Sequence, residues 1–583
     1  MTTHDQHRDP TTRRRFLQAS SAAGAMAVSF TAGASSTPAQ SSSGELSSTA
    51  AQPAPNPQGD LPFLHGVASG DPVPNTVILW TRVTPSAAAA PGSGLGPDVT
   101  LTWTVARDGE LMDVVKQGHA VASAAHDHTV HVDPWGLEPD TEYFFRFTVA
   151  DGQHAGAVSP IGRTHTAPAL SASVEEMNIA VASCANWESG FFSAYSDVAV
   201  RARAGDLDLM VFLGDYIYEY GQGEYAGFGP FRLLEPAHEI VTLADYRTRY
   251  GLYRTDPELQ AAHGALPWVT VWDDHEIADN NWRGGAANHQ PETEGAWTTR
   301  RDAAMQAYFE WLPIRAISPS EGGHLYRSFQ YGDLVELTMM DLRTYRDQAA
   351  DLFDFAAVVD PARTMAGSEQ FEWLRAKIST SSAVWNVLGS SVMLSPMNLV
   401  TLREDERTVP VAEFLSEHRV GASSGSSTGS SADVVRGGGV SLNPDQWDGY
   451  VAEQRRLVEL LASSASTTLV LTGDIHTEWA HALSHEGREF GCELVTSSVS
   501  APNVDEILGL PKGNALSQVA QKYLTAANPH LRHVELDSHG YAIARVGRDQ
   551  VRMQFLRTPD VTRQGAGVTV AHEMVWRQDA GFE

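Results

Sequence analysis

The chain has 583 residues, too many for one ordinary domain, and 42% of them are hydrophobic, ample for sizeable cores. A formal net charge of −30 argues against a nucleic-acid-binding surface, which needs a basic footprint, and suits an exported protein that must stay soluble. Two cysteines, Cys184 and Cys492, exclude a disulfide scaffold.

The N-terminus carries Thr12-Arg13-Arg14-Arg15-Phe16-Leu17-Gln18, then a weakly apolar Ala/Gly/Ser stretch. Small-residue cleavage patterns follow at Ala32-Gly33-Ala34 and Thr37-Pro38-Ala39. Paired arginines before Phe-Leu and so weak an apolar region read as a twin-arginine export signal over residues 1–39, not a membrane anchor. The translocase of that pathway is then a transient partner, and the expected location is secreted or cell-envelope/periplasmic. The pathway carries folded proteins, which suits a metal centre loaded before export. Residues 40–60 are Ser/Ala/Pro/Gln-rich and read as linker.

Residues 61–168 hold short segments of period-two or β-branched character separated by Gly, Pro, Asn and Asp turns. They predict a small all-β sandwich of immunoglobulin or fibronectin type. Leu137-Glu138-Pro139-Asp140-Thr141-Glu142-Tyr143 resembles the approach to a tyrosine corner. No cluster of titratable residues stands out there, so the module reads as a packing or positioning unit rather than an independent binder.

From residue 174 to 583 strand-like runs alternate with helical ones, which predicts an α/β domain. Helices are expected over 193–204, 299–311, 368–378 and 444–463, the last with Asn443 as N-cap and Pro444 as first helical residue. Strands are expected over 335–340, 384–392 and 493–498, and the Ser/Gly-rich residues 421–439 read as a surface loop. No apolar span reaches membrane length, so no transmembrane segment is expected in the mature protein.

Four apolar runs end in potential ligands. Leu209-Met210-Val211-Phe212-Leu213 lacks polar alternation, as a strand covered on both faces does, and stops at Gly214-Asp215 with Tyr218 three residues on. The run before Cys184 and Asn186 behaves alike. So do the one ending at Asp273, Asp274, His275 and Glu276 and the one ending at Asp474, His476 and Glu478. A carboxylate leaving a buried strand needs a cation. Asp474 and His476 share a face of an extended segment, being two residues apart. Taken alone, Cys184 is more often a buried small hydrophobe, and His476 a hydrogen-bonded structural residue. Jointly, the four ends assemble O, N and S donors where open α/β sheets place their sites, and so predict a metal centre.

At these motifs the chain, from about residue 61 to 546, resembles the PhoD-type alkaline phosphatases. That branch of the calcineurin-like metallophosphoesterases is related to the purple acid phosphatases. His65-Gly66-Val67-Ala68-Ser69-Gly70-Asp71-Pro72 and Leu79-Trp80-Thr81-Arg82 carry the likeness in the leading module. GDYIYEYG, VWDDHEIADNNW, DLRTYRDQ, GDIHTEWAHAL and Ser538-His539-Gly540-Tyr541 carry it beyond. The resemblance implies a four-layer α/β/β/α sandwich. It also makes Asp215 the bridging carboxylate and Tyr218 an iron ligand. Cys184 stands where the wider superfamily has an aspartate, Asp474 replaces a histidine, Asp274 replaces an asparagine, and His275 is the catalytic histidine. Thiolate and phenolate favour Fe³⁺, while a carboxylate-rich neighbour suits Ca²⁺, and the branch is described as holding both. Asp273, Asn280 and Asn281 are candidates for a second Ca²⁺.

The implied reaction is hydrolysis of a phosphate ester, monoester or diester, by a metal-activated hydroxide in line with the leaving alkoxide, which His275 protonates or positions. Asn186 and Arg343 are candidates for gripping the non-bridging oxygens, Arg343 equally a structural ion-pair partner. Two alternatives stand beside this. One is a phosphodiesterase or phospholipase D-like enzyme acting on lipids or wall polymers, the other a secreted calcium-binding protein without catalysis. The last leaves Cys184, Tyr218 and His476 unexplained.

Overall fold

The computed structural model describes residues 61–351, 354–401, 439–441 and 443–583. The expected export signal, the linker and all but the final residue of the Ser/Gly-rich stretch lie outside the described residues. The leading strands are β1 (Val67–Val73), β2 (Thr76–Arg82), β3 (Val99–Ala106), β4 (Val114–Ala122), β5 (Thr129–Val132), β6 (Glu142–Val149) and β7 (Gly162–His165). β4-β3-β6-β7 form a separate four-stranded sheet, while β1, β2 and β5 form one edge of a larger one. Alternate residues of each, among them Leu79, Leu101, Phe145 and Phe147, point inward and pack as one core. The Tyr143 hydroxyl accepts the Glu138 N–H at 2.9 Å, the tyrosine-corner contact.

The chain then runs β8 (Glu176–Ala182), α1 (Ser193–Arg203), β9 (Leu209–Leu213), α2 (Leu243–Tyr253), α3 (Pro257–His263), β10 (Trp268–Val271) and α4 (Trp297–Trp311). Local chemistry sets the helix starts. Thr242 and Asp245 form a reciprocal capping box on α2, and Asp256 accepts two N–H groups ahead of Pro257 on α3. β8, β9 and β10 pair in parallel, with Ile179 opposite Leu209 and Met210 opposite Trp268. All five residues of β9 are buried, as an unbroken apolar run requires.

The remainder supplies β11 (Arg327–Tyr331), β12 (Val335–Met339), α5 (Ser368–Thr380), β13 (Trp385–Ser390), β14 (Asn398–Thr401), β15 (Gly439–Ser441), α6 (Val451–Ala462), β16 (Thr467–Thr472), β17 (Glu478–His485) and β18 (Arg488–Val495). It closes with α7 (Ala515–Ala527), β19 (Leu531–Glu535), β20 (His539–Gly547), β21 (Gln550–Thr558), β22 (Thr569–Arg577) and β23 (Gly581–Phe582). One sheet has ten strands in the order β23-β22-β21-β20-β8-β9-β10-β1-β2-β5, the other seven in the order β11-β12-β13-β16-β18-β17-β19. The two faces of the seven-stranded sheet separate cleanly. Val387, Leu469 and Leu471 join the core shared with the ten-stranded sheet and α1–α4, while Leu388 and Val470 join the core under α5 and α6. Helices, sheet, sheet and helices make the expected four layers, with the small all-β module in front.

That module is welded on. β1 pairs in parallel with β10 through Gly70 and Trp268, Arg327 grips both Asp71 oxygens at 2.7 and 2.9 Å, and Trp80 Nε1 donates to the Glu310 carbonyl at 2.8 Å. Two sequence expectations need correction. The helix expected from Pro444 begins at Val451, because the chain before it makes a turn that sends Asp445 and Gln446 to the ligand cluster, followed by a short 3₁₀ turn over Trp447–Gly449. The strand expected over 493–498 stops at Val495, and the chain beyond it crosses the same cluster.

Candidate metal centre

The ends of β8, β9 and β10 meet the end of β16 from the opposite sheet. Two glycines permit the approach. A Cβ on Gly214 would lie 2.4 Å from that of Asp273, and one on Gly473 would lie 2.7 Å from Ser183 Cβ. Just past these points the chain turns abruptly, and Cys184, Asp215, Asp474 and His476 all adopt left-handed backbone, with φ of 61°, 59°, 63° and 57°. Such conformations cost non-glycine residues roughly 1–3 kcal/mol each and collect at functional sites.

The turned side chains form three overlapping groups of donors, the atoms of each lying within 4.8 Å of one another. They are Cys184, Asp215 and His476; Asp215, Asp274 and His275; and Asp215, Asp273, Asp274 and Asp474. Asp215 belongs to all three, the position a bridging carboxylate needs. The Tyr218 hydroxyl lies 3.0 Å from Asp215 Oδ2 and 3.2 Å from His476 Nε2, so it sits with the first group. Pro502 O accepts from His476 Nδ1 at 2.8 Å, which leaves Nε2 facing the cluster, as the outer partner of a ligating histidine does. His275 Nδ1 is likewise engaged, 2.7 Å from Glu219.

Electrostatics test whether these donors fit a cation. Asp215 Oδ1, Asp274 Oδ1 and Asn281 Oδ1 are buried without a hydrogen-bond partner. Burial pushes the Cys184 thiol, the Tyr218 phenol and the Asp215 and Asp474 carboxyls well above their ordinary ranges, and mutual repulsion adds to it. Burial alone would do the same to Asp274, but the Arg343 guanidinium and His275 pull it below. His476 is lowered to about 4 by burial, so its ring is the neutral form that metals take. A packed set of acids that resists ionising by itself is one that bound cations stabilise. The donor set fits.

Each remaining candidate has a definite place. Arg343, wholly buried, holds both oxygens of Asp273 at 2.6 and 2.7 Å and one of Asp445 at 2.9 Å, with Asp274 and Asp474 3.4 Å away. Asp273 is thus paired with Arg343, besides lying in the third group. Asn186 is committed to the neighbouring loops, donating to the Tyr225 carbonyl and accepting the Glu188 N–H. Asn280 donates its backbone N–H to Asp274, and its side chain turns to Asp279, whereas Asn281 Oδ1 is free. Glu478 does not join the centre: it opens β17 and pairs with Arg557 at 2.7 Å.

Several residues hold roles that the sequence did not assign, Glu276 among them although it stands in a loaded strand end. Glu219 orients His275 and also accepts from Asp279 N and Asn288 Nδ2. Glu276 ties the two ligand turns together, accepting Tyr216 N at 2.6 Å and Asp273 N at 2.9 Å. Gln446 donates to Asp474, and the Tyr225 ring stacks on Tyr218 with centroids 5.6 Å apart. An acid directly after Tyr218, and one directly after His275, were the available signals.

Residues 179–555 match the family model of the PhoD-like phosphatases, and residues 48–168 match that of the PhoD-like phosphatase N-terminal domain. The chain belongs to the PhoD-like phosphatase family. It is 35% identical over 535 residues to alkaline phosphatase D of Bacillus subtilis (strain 168), covering 89% of this chain and 81% of that protein. A solved structure of PhoD superposes with a TM-score of 0.75 at 33% identity, over 91% of this chain and 93% of that one. A purple acid phosphatase from yellow lupin (Lupinus luteus) seeds shares the fold, with a TM-score of 0.50 at 9% identity over 88% and 74% of the two chains. Among the described residues no helix is long and apolar enough to cross a membrane.

Proposed function

We propose that this PhoD-like phosphatase is an exported alkaline phosphatase that hydrolyses phosphate esters, monoester or diester. Cys184, Asp215, Tyr218 and His476 would hold Fe³⁺, and Asp215, Asp273, Asp274, Asn281 and Asp474 would hold one or two Ca²⁺. The observation that carries this reading is the membership of Asp215 in all three donor groups. Thiolate, phenolate and imidazole serve a high-charge transition ion, and the all-oxygen set serves a hard cation. Neither a structural calcium site nor a core needs a buried cysteine, tyrosine and histidine around one carboxylate.

The cations held there would supply Lewis acidity to the phosphoryl oxygens and a lowered pKa to water, the source of the nucleophile. The chain's own residues do the rest. Glu219 fixes the His275 ring so that Nε2 faces the leaving oxygen, which it protonates. Arg343 keeps the clustered carboxylates together rather than reaching the substrate, and Asn186 shapes the wall beneath Tyr225. Residues 61–168 brace the ten-stranded sheet as a positioning module. Hydrolysis of p-nitrophenyl phosphate and of its bis-ester by purified protein tests the activity. Turnover of neither, with metal bound, contradicts it. Export by the twin-arginine pathway predicts that Arg13→Lys, Arg14→Lys and Arg15→Lys together retain the enzyme in the cell.

A further inference from the structure

The Ser538-His539-Gly540-Tyr541 motif takes no part in the three donor groups. β20 opens on it, antiparallel to β8, with Ala542 opposite Val181, so His539 stands beside the end of the strand that leads to Cys184. The segment 497–503 runs between the two. On one side Ser498 pairs with Ser183 in a single parallel bridge, and on the other its carbonyl accepts the Gly540 N–H at 2.9 Å. Further along, the N–H groups of Ser500 and Ala501 converge on the Cys184 carbonyl at 3.4 and 3.2 Å. Pro502 then offers the carbonyl that holds His476 Nδ1. One segment therefore touches both Cys184 and His476.

Side chains clamp that segment. Ser498 Oγ donates its one proton to acceptors within it, the Ala501 carbonyl at 2.7 Å and Asn503 Oδ1 at 3.3 Å. Its 3.0 Å contact with His539 therefore uses an oxygen lone pair and places a ring proton on Nδ1. His539 Nε2 lies 3.4 Å from Glu506, an ion pair when the ring carries a proton on both nitrogens, and that carboxylate accepts the Asn503 N–H at 3.1 Å. The ring thus grips the segment near its start through Ser498 and at its end through Glu506. The order Ser, His, Glu does not make a hydrolytic triad, because Ser498 is sealed from solvent and its proton is already committed.

We propose that His539 is a positioning residue of the metal centre, clamping the segment 497–503 through Ser498 and Glu506 and so setting the orientation of His476 and the backbone of Cys184. This rests on the reading of Cys184 and His476 as ligands. The test loads metal-free full-length protein with Co²⁺ and follows the thiolate charge-transfer band. His539→Ala and Ser498→Ala should weaken Co²⁺ binding by roughly 10–100-fold, as loss of an outer partner does. His539→Asn, whose amide nitrogen takes the place of Nδ1, should recover most of that loss. Wild-type affinity in both alanine variants would overturn the proposal. Thermal unfolding of the metal-free variants accompanies the titration. If His539→Ala does not fold, Ser498→Ala decides, and failure of that variant to fold also counts against the proposal by assigning the link to the fold itself. Cys184→Ala separates the two readings. If it leaves band and affinity unchanged, the ligand assignment itself falls; if it abolishes the band while His539→Ala changes nothing, only the clamp falls.

Discussion

Asp273 and Arg343 form a two-point ion pair, at 2.6 and 2.7 Å, with neither side chain exposed to solvent. The guanidinium also lies 3.4 Å from Asp274 and from Asp474, and 2.9 Å from Asp445, which Arg346 contacts at 2.8 Å as well. Breaking such a buried network from one side strands the opposite charges, which costs roughly 3–5 kcal/mol. Arg343→Met should therefore destabilise the metal-free protein by about that amount, measured by urea unfolding. Added Ca²⁺ should restore part of it, because it supplies positive charge at the same carboxylates. Unfolding indistinguishable from wild type would show that Arg343 does not hold the cluster.

His275 and Glu219 make a second buried pair, and only His275 faces the proposed reaction. His275→Ala should lower kcat by roughly 10²–10⁴-fold with metal content unchanged. Glu219→Gln keeps the size and weakens only the hold on the ring, so it should give a smaller fall in kcat with KM little altered. A His275→Ala enzyme of normal kcat would reduce His275 to a structural residue.

Much of this was legible in the sequence because burial on both faces leaves an unbroken apolar run, and β8, β9, β10 and β16 all carry one. Each run stops where a costly side chain begins, which is why Cys184, Asp215, Asp274 and His476 stood out before any geometry. Asp445 and Gln446 did not. They sit in what reads as the first turn of a helix, and only the pull of Arg343 and Asp474, distant in sequence, opens that turn. Glu478 misled for the converse reason: its spacing from His476 matches a ligand's, but its partners Arg557 and His533 lie some 80 and 55 residues away. Pairings across sheets leave no local pattern.

Glu478 also provides a pH test outside the ligand set. Burial would raise its carboxyl, but contacts with His533 and Arg557 hold it below the ordinary range. A depressed folded pKa adds stability that is fully present above the unfolded pKa and is lost as pH falls through the folded one. Wild type should therefore exceed Glu478→Gln in stability at neutral pH, and the gap should close in acid. A constant gap from pH 7 downward in matched unfolding curves would remove this pairing from the stability of the fold.

Tyr218→Phe removes one oxygen and keeps the ring packed against Tyr225 and His275, whose centroids lie 5.6 and 4.3 Å away. If the phenolate binds iron, the wild type should be coloured by ligand-to-metal absorption and the variant should lose or shift that band with its fold intact. Identical visible spectra would exclude Tyr218 as a ligand.

The most direct test of the centre is anomalous scattering from crystals of the purified protein, recorded on either side of the iron absorption edge. An iron peak is expected within bonding distance of Cys184 Sγ, Asp215, the Tyr218 hydroxyl and His476 Nε2, with lighter density among Asp215, Asp274 and Asn281. A peak at that place that does not respond to the iron edge, or no peak there in an active enzyme, would contradict the iron assignment.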